Sequence, residues 1–237
     1  MIDKLALQPG QRLLELAAGP GETGFLAAEL VLPGGTLICS DQSDAMIEVA
    51  RARAAELGLT NVEFRVINAE SIALPVASID AVLCRFGYML MVDPAAALFE
   101  TRRVLSPGGR VALAVWASAE ENPCLTVASR VLVEHGLIEP PDPDGPGVFA
   151  LADPVRLTAL LDEAGFTDIT VEPIDIVQAA PSFEFWWEML LALSPSGAAV
   201  RAADPAVAKE VAGEVEQRLD RYRLAIPGRV LVASAEA

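Results

Sequence analysis

The segment Gly19-Pro20-Gly21-Glu22-Thr23-Gly24 sets three glycines in G-x-G-x-x-G spacing. Glycine lets the backbone turn with positive φ and come close to a ligand. Asp41 follows at about the 20-residue distance from which a carboxylate reaches a ribose diol. Its two acceptor oxygens match two hydroxyls. A glycine-rich turn by itself only makes a tight corner. Turn, flanking elements and distal acid together point to a nucleoside-containing ligand, and on these residues a nicotinamide dinucleotide remains open.

The elements that must carry these residues alternate. Short apolar runs at 12–16, 36–40, 62–67, 79–84 and 110–116 read as strands. Between them, 23–32, 44–57 and 94–105 read as helices, with Ser43 as an N-cap and Gly58 past a helix end. Near-continuous apolar strands separated by helices indicate a parallel sheet covered on both faces. A helix over 155–164, a strand over 169–177, a helix over about 206–223 and a last strand over 228–234 follow. The expectation is one α/β domain over 1–237, a doubly wound, mostly parallel seven-stranded sheet. Insertions follow the fifth and sixth strands at about 118–153 and 180–226. Both read as mixtures of helix and loop, the first rich in proline and in loop.

Composition narrows the partners. With 17 basic against 33 acidic residues the net charge is −16, which repels phosphate backbones, so no nucleic-acid partner is expected. No apolar run is long enough to span a membrane. Three cysteines without C-x-x-C spacing and a single histidine argue against a disulfide framework or a metal site. A cytoplasmic chain with reduced thiols is expected, its partner a small molecule, with a homodimer left open.

Five segments in order resemble class I S-adenosylmethionine (SAM) methyltransferases of the quinone-biosynthesis and small-molecule kind, whose fold is Rossmann-like. Glu15-Leu16-Ala17-Ala18-Gly19-Pro20-Gly21 is similar to the family's first motif, and Ser40-Asp41-Gln42-Ser43-Asp44-Ala45-Met46 to its segment after strand two. Asn68-Ala69-Glu70 before Leu74-Pro75, Phe86-Gly87-Tyr88-Met89-Leu90, and Arg103-Val104-Leu105-Ser106-Pro107-Gly108-Gly109-Arg110 match the next three. The resemblance implies that Glu15 and the backbone of Ala17, Ala18, Gly19, Pro20 and Gly21 hold the methionine end of SAM, with Asp41 on the ribose. It sets Gln42, Met46, Asn68, Ala69 and Glu70 around adenine, and Cys84, Arg85 and Phe86 near the sulfonium. Two positions depart from the pattern: Ala17 stands for a glycine, and Asn68 for the acid that accepts from the adenine amino group. An amide carbonyl can accept the same bond.

The implied activity is methyl transfer to an O, N or C nucleophile of a small, largely apolar molecule. Met89, Trp116, Phe149, Trp186 and Trp187 are the candidate acceptor-binding residues, although aromatics such as Trp186 and Trp187 also pack as core. No general base is assigned. His135, Cys84 and the acidic group Glu139, Asp142, Asp144 and Asp153 read as packing or solvated residues. The competing readings are an NAD(P)-dependent oxidoreductase on the same loop and a non-catalytic SAM-binding module. The absence of a Tyr-x-x-x-Lys pair and the Pro-Gly-Gly turn weigh against the oxidoreductase.

Overall fold

A computed structural model describes all residues except Pro141, Pro143, Asp144, Ser194 and Pro195, with Leu193 described by its backbone alone. The strands are β1 (Arg12–Glu15), β2 (Thr36–Asp41), β3 (Val62–Val66), β4 (Ile79–Arg85), β5 (Leu105–Trp116), β6 (Thr167–Ala179) and β7 (Ala225–Glu236). The helices are α1 (Glu22–Ala28), α2 (Asp44–Glu56), α3 (Pro94–Val104), α4 (Pro123–Glu134), α5 (Pro154–Glu163), α6 (Phe183–Leu193), α7 (Ser196–Ala202) and α8 (Pro205–Leu219).

The seven strands form one sheet in the order β3-β2-β1-β4-β5-β7-β6. β1 pairs in parallel with β2 and β4, β2 with β3, and β4 with β5. At the other edge the direction reverses. Gly108 and Ala237 are bonded at one end of the β5–β7 pair, and Ala117 and Arg229 at the other. That register makes β7 antiparallel, so the sheet is mixed. The strand order changes direction between β1 and β4, and open α/β sheets bind ligands beyond the carboxyl ends of such strands.

Burial explains the near-continuous apolar strands. Leu13, Leu14, Leu37, Ile38, Val82, Leu83, Val111, Leu113 and Val115 are all fully buried. Each such side chain contributes about 1.5–3 kcal/mol on leaving water. Helix starts follow a repeated local rule. Asp93-Pro94, Asp153-Pro154 and Asp204-Pro205 each place an acceptor at the N-cap and a proline in the first turn. The aspartate accepts from Ala96, Val155 and Ala206 in turn. The cap satisfies a free N–H where proline needs none.

The structure corrects two expected boundaries. α1 stops at Ala28, short of residue 32. α3 stops at Val104, and β5 begins at Leu105 and runs through the Pro-Gly-Gly segment. The cause is distant in sequence: Gly108 N–H donates to the Ala237 carbonyl and Ala237 N–H to the Gly109 carbonyl. The proline-rich insertion contains α4, because Cys124, Ala128, Val131 and Leu132 recur at helical spacing and are buried. Of the acidic loop, Asp144 lies outside the described residues.

The chain divides into two compact units. One comprises Met1–Trp116, Asp144–Pro173 and Leu231–Ala237, and the other Ala117–Pro143 and Ile174–Val230. The first contains the glycine-rich loop. In the second, Asn122 fastens the start of α4. Its Nδ2 donates to the Ala117, Ser118 and Arg229 carbonyls, and its Oδ1 accepts from Arg229 N–H. Among the described residues no helix is long and apolar enough to cross a membrane.

Candidate cofactor and methyl-transfer site

β1 ends at Glu15, and the chain leaves it through three left-handed residues: Ala17 (φ 50°), Gly19 (φ 54°) and Gly21 (φ 80°). Backbone bonds fix this path. Leu16 N–H donates to Leu83, Ala18 N–H to Ser40, and Gly21 N–H to Ala18. A Cβ at Gly21 would stand 2.3 Å from the Phe25 ring, so that glycine answers to packing. A Cβ at Gly19 would meet nothing within 4 Å. The space beside Gly19 is open, as a ligand cradle requires. Ala17 holds its left-handed φ with a Cβ, which strains any residue other than glycine.

Asp41 closes β2 beside this loop. Its Oδ2 accepts from Gly19 N–H at 2.9 Å and its Oδ1 from Ser43 N–H at 3.0 Å. Each oxygen keeps a second lone pair for a ribose hydroxyl. Gln42 and Met46 are exposed at the start of α2, where Ser43 accepts from Met46 N–H. Asn68 is exposed and its Oδ1 accepts from Glu70 N–H, while Ala69 is buried. Glu70 also braces the neighbouring turn, its Oε1 accepting from the N–H groups of Val92 and Asp93.

Glu15 is the most unusual group in the site. It is 2% exposed, its Oε1 accepts from Gly24 N–H at 2.8 Å, and its Oε2 has no partner. Burial pushes the carboxyl up to about 8, although the Gly24 bond and the Arg85 charge pull the other way. Gly24 lies against it so closely that a Cβ there would fall 2.0 Å from Oε2.

At the end of β4, Cys84 is fully buried and burial pushes its thiol up to about 12. Arg85 is exposed, pairs with Glu22 at 3.1 Å and holds its guanidinium 5.6 Å from the Phe86 ring centre. Glu22 also pairs with Arg53. Phe86 is left-handed (φ 62°), and its N–H donates to the Ala114 carbonyl of β5. Its ring stacks on Trp116, with centroids 4.7 Å apart and planes 6° from parallel. Tyr88 and Met89 are buried in the following turn, Tyr88 bonded through its hydroxyl to Thr101. Gly147 N–H donates to the Met89 carbonyl, which brings the half-buried Phe149 segment to this turn.

The other two tryptophans belong to the second unit. Trp186 and Trp187 are buried with Phe183 among Cys124, Val131, Val211 and Val215. Trp186 also lines a cavity of about 490 Å³ with Phe183, Leu219, Leu224 and Ile226. His135 is paired with Glu214 at 2.8 Å in the same unit. The Phe86–Trp116 stack and the Glu22 ion pairs are not anticipated from the sequence. The stack leaves one signal there, an aromatic just before a glycine at a strand end.

The residues fit SAM on three counts: an orphaned buried acceptor at Glu15, open space at Gly19 and spare lone pairs on Asp41. Known proteins point the same way. A family model described as a methyltransferase domain matches residues 7–138. The ubiquinone/menaquinone biosynthesis C-methyltransferase of Hahella chejuensis is 35% identical over 128 residues, 54% of this chain and 51% of that protein. The arsenite methyltransferase of Halobacterium salinarum is 36% identical over 174 residues, 72% of this chain and 41% of that protein. The chain thus spans about half or less of the length of these two relatives. Among solved structures, the YcgJ protein of Bacillus aligns with TM-score 0.66 at 19% identity, over 100% of this chain and 95% of that one. With a methyltransferase family model matching more than half its length, the chain belongs to the class I SAM-dependent methyltransferase family.

Proposed function

We propose that this chain transfers the methyl group of SAM to an O, N or C nucleophile of a small, largely apolar molecule in the cytoplasm. SAM supplies an electrophilic methyl on a sulfonium. The chain must align the acceptor behind that methyl and keep water out. Asp41 takes the ribose, Gln42, Met46, Asn68 and Ala69 flank the adenine, and the loop from Ala17 to Gly21 holds the methionine end.

The observation that carries the acceptor class is the Phe86–Trp116 stack at the carboxyl ends of β4 and β5. It offers a flat apolar wall at the carboxyl ends of the strands, where the sulfonium is expected. Such a wall suits a planar apolar acceptor. Cys84 and Tyr88 are both buried with their ionisation pushed up, so neither takes a proton from the acceptor near neutral pH. Neither therefore serves as the base, and an acceptor that needs none from them, such as an electron-rich ring carbon or a neutral amine, suits this site.

The test is formation of S-adenosylhomocysteine from SAM with a panel of quinols, phenols and aromatic amines, alongside calorimetric titration of SAM and NAD. Acceptor-dependent turnover with SAM binding supports the proposal. NAD binding in place of SAM, or SAM binding with no turnover on any planar apolar acceptor, would overturn it.

A further inference from the structure

We propose that Glu15 stands protonated in the free protein and gives up that proton to solvent when SAM binds, so that cofactor binding is coupled to proton release. The inference rests on SAM being the cofactor. The geometry carries it: one carboxyl oxygen is satisfied by Gly24 N–H, while the other is sealed from water with no partner. A buried carboxylate in that position would hold uncompensated charge, whereas the acid form holds none.

Around this carboxyl, burial and Asp41 favour the acid form, and only Gly24 N–H and Arg85 oppose them. β2 presents Asp41, whose negative charge disfavours a second one nearby, and the Cys39 thiol, itself held neutral by burial. β4 presents the neutral Cys84 thiol and Arg85. Among the described residues Arg85 is the sole cation acting on Glu15, and its guanidinium is already engaged by Glu22. α1 contributes only the Gly24 N–H. Burial then outweighs the favourable partners, and the carboxyl titrates near 8.

SAM brings a sulfonium and an α-ammonium to the loop that begins one residue after Glu15. Either cation supplies the missing compensation, so the carboxyl ionises and the proton leaves to buffer. The balance is simple: acid plus cationic ligand gives the ion-paired complex and one proton.

Calorimetric titration of SAM in two buffers of different ionisation enthalpy at pH 7 counts the protons. The α-ammonium of SAM titrates near 8 as well, so the quantity that matters is the difference between wild type and Glu15→Gln, which keeps the acceptor for Gly24. The expected difference is close to one proton released per SAM. A parallel measurement is the infrared difference spectrum of wild type with ¹³C-labelled glutamate. A glutamic-acid carbonyl band present before SAM and lost after it is expected; this reading stands even if Glu15→Gln fails to fold. Equal proton counts in the two proteins, or no acid band in the free protein, would overturn the inference while SAM binding itself persists. No SAM heat in wild type would instead remove the cofactor reading, and the inference with it.

Discussion

Gly87 approaches Ala17 so closely that a Cβ on it would stand 2.6 Å from the Ala17 Cβ, and equally 2.6 Å from Cys84 Sγ. Neither neighbour can yield, since Ala17 sits in a left-handed turn and Cys84 is buried on β4. Gly87→Ala is therefore expected to cost about 1–3 kcal/mol by overpacking and to push the glycine-rich loop off its path. Thermal unfolding and SAM titration should both register it. An unchanged melting temperature would show that the contact is slack.

Asp41 fastens two backbone amides and keeps a spare lone pair on each oxygen. Asp41→Ala should weaken SAM binding by at least about tenfold, because charge-assisted hydrogen bonds contribute roughly 1.5–3 kcal/mol each. It should also lower the melting temperature, since the Gly19 and Ser43 N–H groups lose their acceptor. Affinity retained within twofold would show that the ribose is held elsewhere.

Glu15 gives a pH dependence of opposite sign to an ordinary paired carboxylate. In the unfolded chain it titrates near 4.5, in the folded protein near 8. Below about pH 4.5 both states carry the proton and the group has no effect. Between those values only the folded state does, so stability falls as pH rises and levels off above about pH 8. Urea unfolding of wild type against Glu15→Gln at pH 5 and pH 8 should show wild type losing a few kcal/mol relative to the variant, an order-of-magnitude figure. Parallel profiles would refute the assignment.

The three tryptophans should separate by role. Trp186 is 2% exposed in the second unit's core, so Trp186→Ala is expected to cost on the order of 3–5 kcal/mol and a large melting shift. Trp116 forms half of the stacked wall, and Trp116→Ala should lower acceptor turnover while SAM affinity holds. Turnover per folded molecule unchanged in Trp116→Ala would remove the wall from the acceptor site.

Local signals carry most of the fold. Apolar runs locate all seven strands, and the Asp204-Pro205 helix start is readable because capping depends only on neighbours. What escapes depends on partners far along the chain. Nothing near Ser106-Pro107-Gly108-Gly109 announces that Ala237 will return to pair with it. Trp186 and Trp187 can be read as pocket or as packing, because helical spacing fits both and only α4 and α8 decide. In the site, the glycines and Asp41 are legible by spacing. The left-handed turn that lays Phe86 on Trp116 is not, since phenylalanine rarely adopts that conformation.

The left-handed path through Ala17, Gly19 and Gly21 is tied to Ser40, Leu83 and Asp41 through its own backbone amides. Ordering a loop residue costs about 1–2 kcal/mol of backbone entropy. Here that entropy is lost when the sheet assembles, before any ligand arrives. The loop is thus ordered in advance, and contacts made on binding go into affinity with little lost to arranging the chain.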